Sequence, residues 1–372
     1  MGSIPETVVR AEPRRAAVDF SRRPFVAIWE LTRACALVCV HCRAEAQPRR
    51  DPRELTTEEG FALIDHLAAE GVPVFVLTGG DPMQRPDVLD LIAHGVRSGL
   101  HTSFSPSATP RLTAKALARC REAGLSRVAI SLDGASAETH DGFRGVKRSY
   151  ARTLRVMREV TDAGLRLQLH TTVSRYNFHE MARIAEFVGE AGAVMWNVFF
   201  LVPTGRGKAE DMITAEQHEE AFNWLYDLSL RAPYDIKTTA APHYRRVVLQ
   251  RRQDAGLSGA PTPGVLPRDG IGRAAFEGVN DGKGFVFISH IGEVCPSGFL
   301  PLAAGNVREE PALDIYRNSQ VFRDLRNPEK LKGKCGRCEY REVCGGSRAR
   351  AYAVTGDPFE SEPRCAYEPE EG

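Results

Sequence analysis

FVAIWELTRACALVCVHC (25–42) decides the fold. Its first seven residues form a short apolar run of the kind that makes a β-strand. The rest carries three cysteines, Cys35, Cys39 and Cys42, spaced C-x3-C-x2-C, so a metal-binding loop is expected at the end of a strand. The same alternation of strand and helix patterns continues downstream. Further strands are expected at PVFVLTG (73–79), HTSFSPS (101–107), RVAISLD (127–133), LRLQLHTTV (165–173) and WNVFFLV (196–202). Between them lie the helical patterns 56–71, 85–99, 113–124, 152–164 and 177–192, the first with Thr57 ahead of Glu58 and Glu59 at an acidic start and several ending on glycine. Six such units predict a parallel sheet, open or curved into part of a barrel. Right-handed crossovers then bring all the strand ends to one face. The unusual segments sit at those ends: the cysteine loop after the first strand, TGGDP after the second, SPSATP after the third and SLDG after the fourth.

Three thiolates on one tight loop can hold three irons of a cubane cluster and leave the fourth iron open, whereas electron-transfer clusters use four cysteines. An open iron implies that a small molecule binds there. S-adenosylmethionine (SAM) fits, through its amino and carboxylate groups, and reductive cleavage of its sulfonium releases a 5′-deoxyadenosyl radical. The competing reading is zinc, which wants four closed ligands. His41 would be the fourth donor, but its position between two ligands of the same loop makes that geometry awkward.

Taken together, CVHC after strand one, TGGDP after strand two and SLDG after strand four resemble the radical SAM superfamily over nearly the whole chain. The resemblance implies a partial (β/α)6 TIM-like barrel of the α/β class, with a [4Fe-4S] cluster on Cys35, Cys39 and Cys42 as the catalytic centre. It also implies SAM contacts. Gly79 and Gly80 present backbone to the methionyl amino group, with Asp81 where the family pattern has Glu. Ser131 approaches the ribose or methionyl part, and Arg144 faces the methionyl carboxylate. His41 packs beside the adenine, and Val202, with the PTGRG segment (203–207), borders it. Asp133 either binds SAM or substrate, or caps the following turn.

Beyond residue 203 the pattern changes. Helices are expected over 215–230 and around 244–252. Residues 253–275 are rich in Gly and Pro and lack periodicity, either covering a substrate or merely connecting. A hairpin is expected over 284–298, turning near Ile291-Gly292. Cys335, Cys338, Cys344 and Cys365 follow, spaced C-x2-C-x5-C-x20-C. Four thiolates suit a saturated iron–sulfur cluster and a structural zinc equally. Their surrounding sequence resembles the SPASM or twitch extension, which implies one auxiliary [4Fe-4S] cluster here. Cys295 is left as a ligand, a substrate contact or an inert thiol. Cys120, in a helical pattern, is expected to be a small buried apolar residue. The division is then an N-terminal arm (1–24), a partial barrel (25–207), a helical and loop connection (208–284) and a cluster domain (285–372).

Composition narrows the function. The 372 residues carry 49 Lys and Arg against 48 Asp and Glu, a balance that gives no reason to expect nucleic acid. No apolar stretch approaches a membrane span, and the N-terminus lacks the apolar core of a secretory signal, so a cytoplasmic protein with reduced thiols is expected. The expected reaction is radical oxidation of a substrate, with electrons supplied by a reductant such as flavodoxin or ferredoxin. CVHCR, TGGDPMQRPD, CPSGFLPLAAGNVR and CGGSRARAYA resemble the haem and haem d1 biosynthesis branch, which implies work on tetrapyrrole propionates. Arg206, Arg268, Arg273, Arg348 and Arg350 are candidates to meet such carboxylates. Peptide maturation is the alternative, although the roughly two dozen residues before strand one are too few for a peptide-recognition domain. A non-catalytic iron–sulfur or zinc protein is the reading of a different class.

Overall fold

In the computed structural model, residues 19–257 and 278–370 are described. One ten-stranded sheet organises them. The six expected strands form as β1 (Val26–Glu30), β2 (Val74–Thr78), β3 (His101–Phe104), β4 (Arg127–Ser131), β5 (Arg166–Val173) and β6 (Met195–Phe200). Four more complete it: β7 (Asp235–Thr239), β8 (Phe285–Ile288), β9 (Glu293–Cys295) and β10 (Gly305–Asn306). The order is β10-β9-β8-β1-β2-β3-β4-β5-β6-β7. Every pair from β8 through β1 to β7 is parallel, while β9 and β10 return antiparallel. The sheet curves as part of a barrel and does not close.

Helices α1 (Thr57–Ala69), α2 (Val88–Arg97), α3 (Ala114–Glu122), α4 (Ala137–Arg144), α5 (Ser149–Asp162) and α6 (Met181–Glu190) fall between the first six strands. The first begins one residue earlier than expected. Thr56 is the N-cap, accepting from Glu59 N at 3.2 Å, while the Glu59 carboxylate accepts from Thr56 N at 2.7 Å. This reciprocal box leaves Thr57 inside the helix. Helix α4 is absent from the sequence expectations, because eight residues containing Gly142 give too short a periodic signal.

Strand alternation separates two faces. Ala27, Trp29, Phe75, Leu77, Val128, Ile130, Trp196 and Val198 are buried in the main apolar core. Their alternates, Val26, Ile28, Val74, Val76, Ala129, Gln168, His170, Asn197 and Phe199, line a cavity of about 290 Å³ inside the curve.

Helices α7 (Ala215–Ser229) and α8 (Tyr244–Asp254) form where expected. The stretch read as a helical and loop connection also contributes β7, whose sequence DIKTT is too polar to announce a strand. The expected hairpin is β8–β9, with Gly292 in its turn at φ 88°. Its first strand pairs with β1 as well, a contact between residues far apart in the chain that local pattern does not carry. The tail adds α9 (Ala312–Asn318), α10 (Gln320–Arg326), α11 (Gly333–Arg337) and α12 (Arg348–Thr355). No helix among the described residues is long and apolar enough to cross a membrane.

Candidate active site

The loop after β1 is fastened at both ends. Cys35 N donates to Gln47 O (2.8 Å) and Gln47 N to Arg33 O (2.9 Å), which closes its neck. Gly79 and Gly80 then lie directly against the neck. A Cβ on Gly79 would stand 2.6 Å from Thr32 O, and one on Gly80 2.6 Å from Arg33 O and 2.7 Å from Ala34 O. Gly80 N donates to Thr32 O and Asp81 N to Ala34 O, both at 2.7 Å. These glycines are therefore required by close approach of two backbones. The PTGRG segment docks on the other side. Gly205, at φ 60°, would drive a Cβ to 2.5 Å from Cys42 O, and Arg206 donates from Nε to Cys39 O (2.9 Å) and from Nη1 to Ala46 O (3.2 Å).

Cys35 and Cys39 are buried and Cys42 half-buried. Burial pushes the Cys35 thiol up to about 11. Burial raises Cys39 as well, against the opposing pull of Arg144, whose Nη1 donates to Cys39 Sγ at 3.6 Å. Thiols held this way are poor free nucleophiles at neutral pH and become thiolates when a metal takes them. Arg144, at the end of α4, also forms a buried ion pair with Asp133, which follows β4. Asp133 accepts from Thr172 N at 2.7 Å. Asp133 is thus paired with the arginine expected at the site, a contact that neither of its expected roles named.

His41 stacks on Phe143 with ring centroids 4.0 Å apart, and its buried Nδ1 has no partner. Asp81 points into its own turn, accepting from Met83 N (3.1 Å) and Thr109 Oγ1 (2.7 Å), and is fully buried. Ser131 shares the inward face of β4 with Ala129 and pairs in register with His170. Val202 is buried with Leu300 and Ala349 at the junction with the tail. The structure therefore gathers Cys35, Cys39, Cys42, His41, Gly79, Gly80 and Arg144 around one loop, and sets Asp81 and Val202 into the packing beside it.

Three thiols packed on one loop, an orphaned ring nitrogen beside them and a neck that admits no Cβ are donors and surroundings that suit a cluster with one open iron. The residues that would hold it are Cys35, Cys39 and Cys42.

The cavity adjoins this loop at Thr78 and Arg43. Arg43 Nη1 pairs with Glu30 at 2.8 Å, and its guanidinium lies 4.7 Å over Phe287. Glu30 is fully buried. Burial would raise its carboxyl, but Arg43, His290 and Arg33 hold it at about 2. His170 is kept neutral, at about 3, by burial and then by Lys237 and Arg144. On the tail side Arg245 lines the cavity, its ordinary value pulled down by burial to about 10. Sequence reading missed Glu30, His170, Arg43 and Arg245. Gln168 and His170 were visible as polar breaks on the inner face of a strand, whereas Arg245 sits in a basic helix with nothing to mark it.

Three of the five arginines proposed for carboxylates have other tasks. Arg348 donates to Pro358 O and Glu360 O, each at 2.8 Å. Arg350 is fully buried and binds Ala240 O (2.8 Å), Phe200 O (3.1 Å) and Glu362 (3.0 Å). Arg206 clamps the cysteine loop, and Arg268 and Arg273 lie outside the described residues.

Cys335, Cys338, Cys344 and Cys365 line one small cavity together with His243. Burial raises Cys338 to about 11 and Cys344 to about 12. Cys295 stands apart on β9, opposite Phe287, and burial lifts it to about 12. Cys120 is fully buried in the core, as expected.

A partial barrel of parallel strands with three cysteines on the first loop defines a radical SAM protein, and residues 29–188 match the Radical SAM superfamily. The chain is 42% identical over 353 residues to an AdoMet-dependent heme synthase of Methanosarcina barkeri, covering 95% of this chain and 99% of that protein. It is 44% identical over 343 residues to one of Nitratidesulfovibrio vulgaris, covering 92% of each. Its fold is similar to that of Streptococcus suis SuiB bound to the precursor peptide SuiA, at TM-score 0.70 and 15% identity over 93% of this chain and 76% of that one. The chain belongs to the radical SAM superfamily and is an enzyme, with the [4Fe-4S] cluster and SAM that membership implies.

Proposed function

We propose that this enzyme acts on the propionate side chains of an iron porphyrin, oxidising them to vinyl groups with loss of the carboxyl carbon as carbon dioxide. The observation that carries the reading is the cavity, whose walls are largely apolar and which Arg245 lines on the tail side, with Arg43, paired to Glu30, and Asp281 also in its lining. Such a lining suits a broad apolar body bearing carboxylates. The heme synthases, at 42% and 44% identity over nearly their whole length, support the same substrate class.

Bound at the loop, the cluster and SAM supply a carbon-centred radical able to take hydrogen from an unactivated carbon. The protein's own residues do the rest. Gly79 and Gly80 expose the backbone edge that meets the methionyl group, and Arg144 offers it a guanidinium oriented by Asp133. His41 and Val202 border the adenine, Ser131 approaches the ribose or the methionyl part, and Asp81 acts through the turn that it holds. Cys335, Cys338, Cys344 and Cys365, grouped in 285–372, would hold one auxiliary [4Fe-4S] cluster, which would supply an acceptor for the electron left by oxidation. Flavodoxin or ferredoxin in the cytoplasm supplies the initiating electron.

Anaerobic incubation with SAM, a reductant and iron coproporphyrin tests this. The expected product has lost carbon dioxide and two hydrogens from a propionate, read by mass spectrometry. An unaltered porphyrin, with a peptide modified in its place, would move the assignment to peptide maturation.

A further inference from the structure

Helix α8 carries three arginines with different surroundings. Arg246 pairs with Glu219, and Arg251 pairs with Asp227 at 2.6 Å. Arg245 has no carboxylate partner among the described residues. Its Nη1 donates to Val343 O (2.8 Å) and its Nη2 to Val279 O (2.5 Å). Carbonyls orient a guanidinium but do not neutralise it, and beyond the Cys344 thiol on its tail side no described acid pairs with it, so an anion on its cavity side is favourable.

The position narrows what that anion is. Val343 adjoins Cys344, so one side of Arg245 faces the tail cysteines. The other side lines the central cavity beside Asn280 and Phe299. Val26, Ile28, Val76 and Phe287 form apolar wall in the same cavity. A ligand that satisfies this arrangement has an apolar body and an anionic edge. With two of its donors already fixed to backbone, the guanidinium is held in one orientation, so little rotamer freedom is lost when it binds.

We propose that Arg245 is the carboxylate anchor of the substrate cavity, holding one propionate of the porphyrin on the tail side. This rests on the tetrapyrrole reading above. It gives the cavity a polarity: the anchored edge lies toward the tail cysteines, and the opposite edge toward the loop of Cys35, Cys39 and Cys42.

The test is equilibrium binding, without turnover, to the anaerobically loaded full-length protein. The probes are coproporphyrin and its tetramethyl ester. Wild type is expected to bind the acid more tightly than the ester. Arg245→Met is expected to weaken acid binding roughly tenfold, the scale of one charge-assisted contact, and to leave the ester unchanged. Arg245→Gln keeps a donor for the two carbonyls while removing the charge, so it serves where the Met variant loses iron, and it should show the same selective loss. Unchanged acid affinity in a variant with full iron content overturns the anchor. A wild-type protein that binds neither porphyrin removes the tetrapyrrole reading itself, and the anchor with it.

Discussion

Gly80 shows how much at this site depends on a missing atom. Its backbone lies so close to residues 33 and 34 that a Cβ would overlap two carbonyl oxygens, and Cys35 is the next residue along. Overpacking of this kind costs about 1–3 kcal/mol when the neighbours shift. Here the neighbour that must move leads directly into Cys35, the first of the proposed cluster ligands. Gly80→Ala is therefore expected to retain its fold but to lose the roughly four irons of the cubane at the cysteine loop. Iron analysis and SAM-binding titration check this, and full iron with wild-type SAM affinity would contradict it. The cysteines and glycines were readable in the sequence because spacing and residue type carry their chemistry. Glu30 was not, since its meaning depends on Arg43, Arg33 and His290 meeting it in space, the last from 260 residues away.

Among the elements, the junction of barrel and tail hangs on α12. Arg350, on that helix, ties the end of β6 through Phe200 O and Leu201 O, the residue after β7 through Ala240 O, and the tail through Glu362. Glu362 in turn accepts from Ser347 N, and its own N–H donates to Cys335 Sγ at 3.3 Å. Both members of the pair are fully buried. Removing one leaves an uncompensated charge, which costs about 3–5 kcal/mol. Arg350→Met should accordingly loosen the tail selectively. Faster amide exchange over 345–365, with the barrel strands still protected, is the expected pattern, and uniform protection would contradict it. Strands β1 to β6 were legible as apolar runs between turn residues. Strand β7 was not, because DIKTT is stabilised by its pairing with β6 rather than by local preference. The parallel pairing of β8 with β1 is likewise a tertiary fact, and α4 was too short to register.

At the scale of the whole molecule, two cysteine groups flank one cavity: three thiols at the barrel's strand ends and four in the tail. The reaction class was legible because the motifs fall at successive strand ends, where the topology must bring them together. The substrate was less so. The cavity lining is assembled from single residues on many strands, and Arg206, Arg348 and Arg350, favoured from sequence, are clamps for the loop and tail. The central claim is that the radical generated at the cysteine loop takes hydrogen from a porphyrin propionate. Its most direct test is a single-turnover reaction with iron coproporphyrin deuterated along the propionate chains. Deuterium in the 5′-deoxyadenosine, in a yield that depends on the porphyrin, is the predicted result. Unlabelled 5′-deoxyadenosine formed at the same rate without porphyrin would contradict the account.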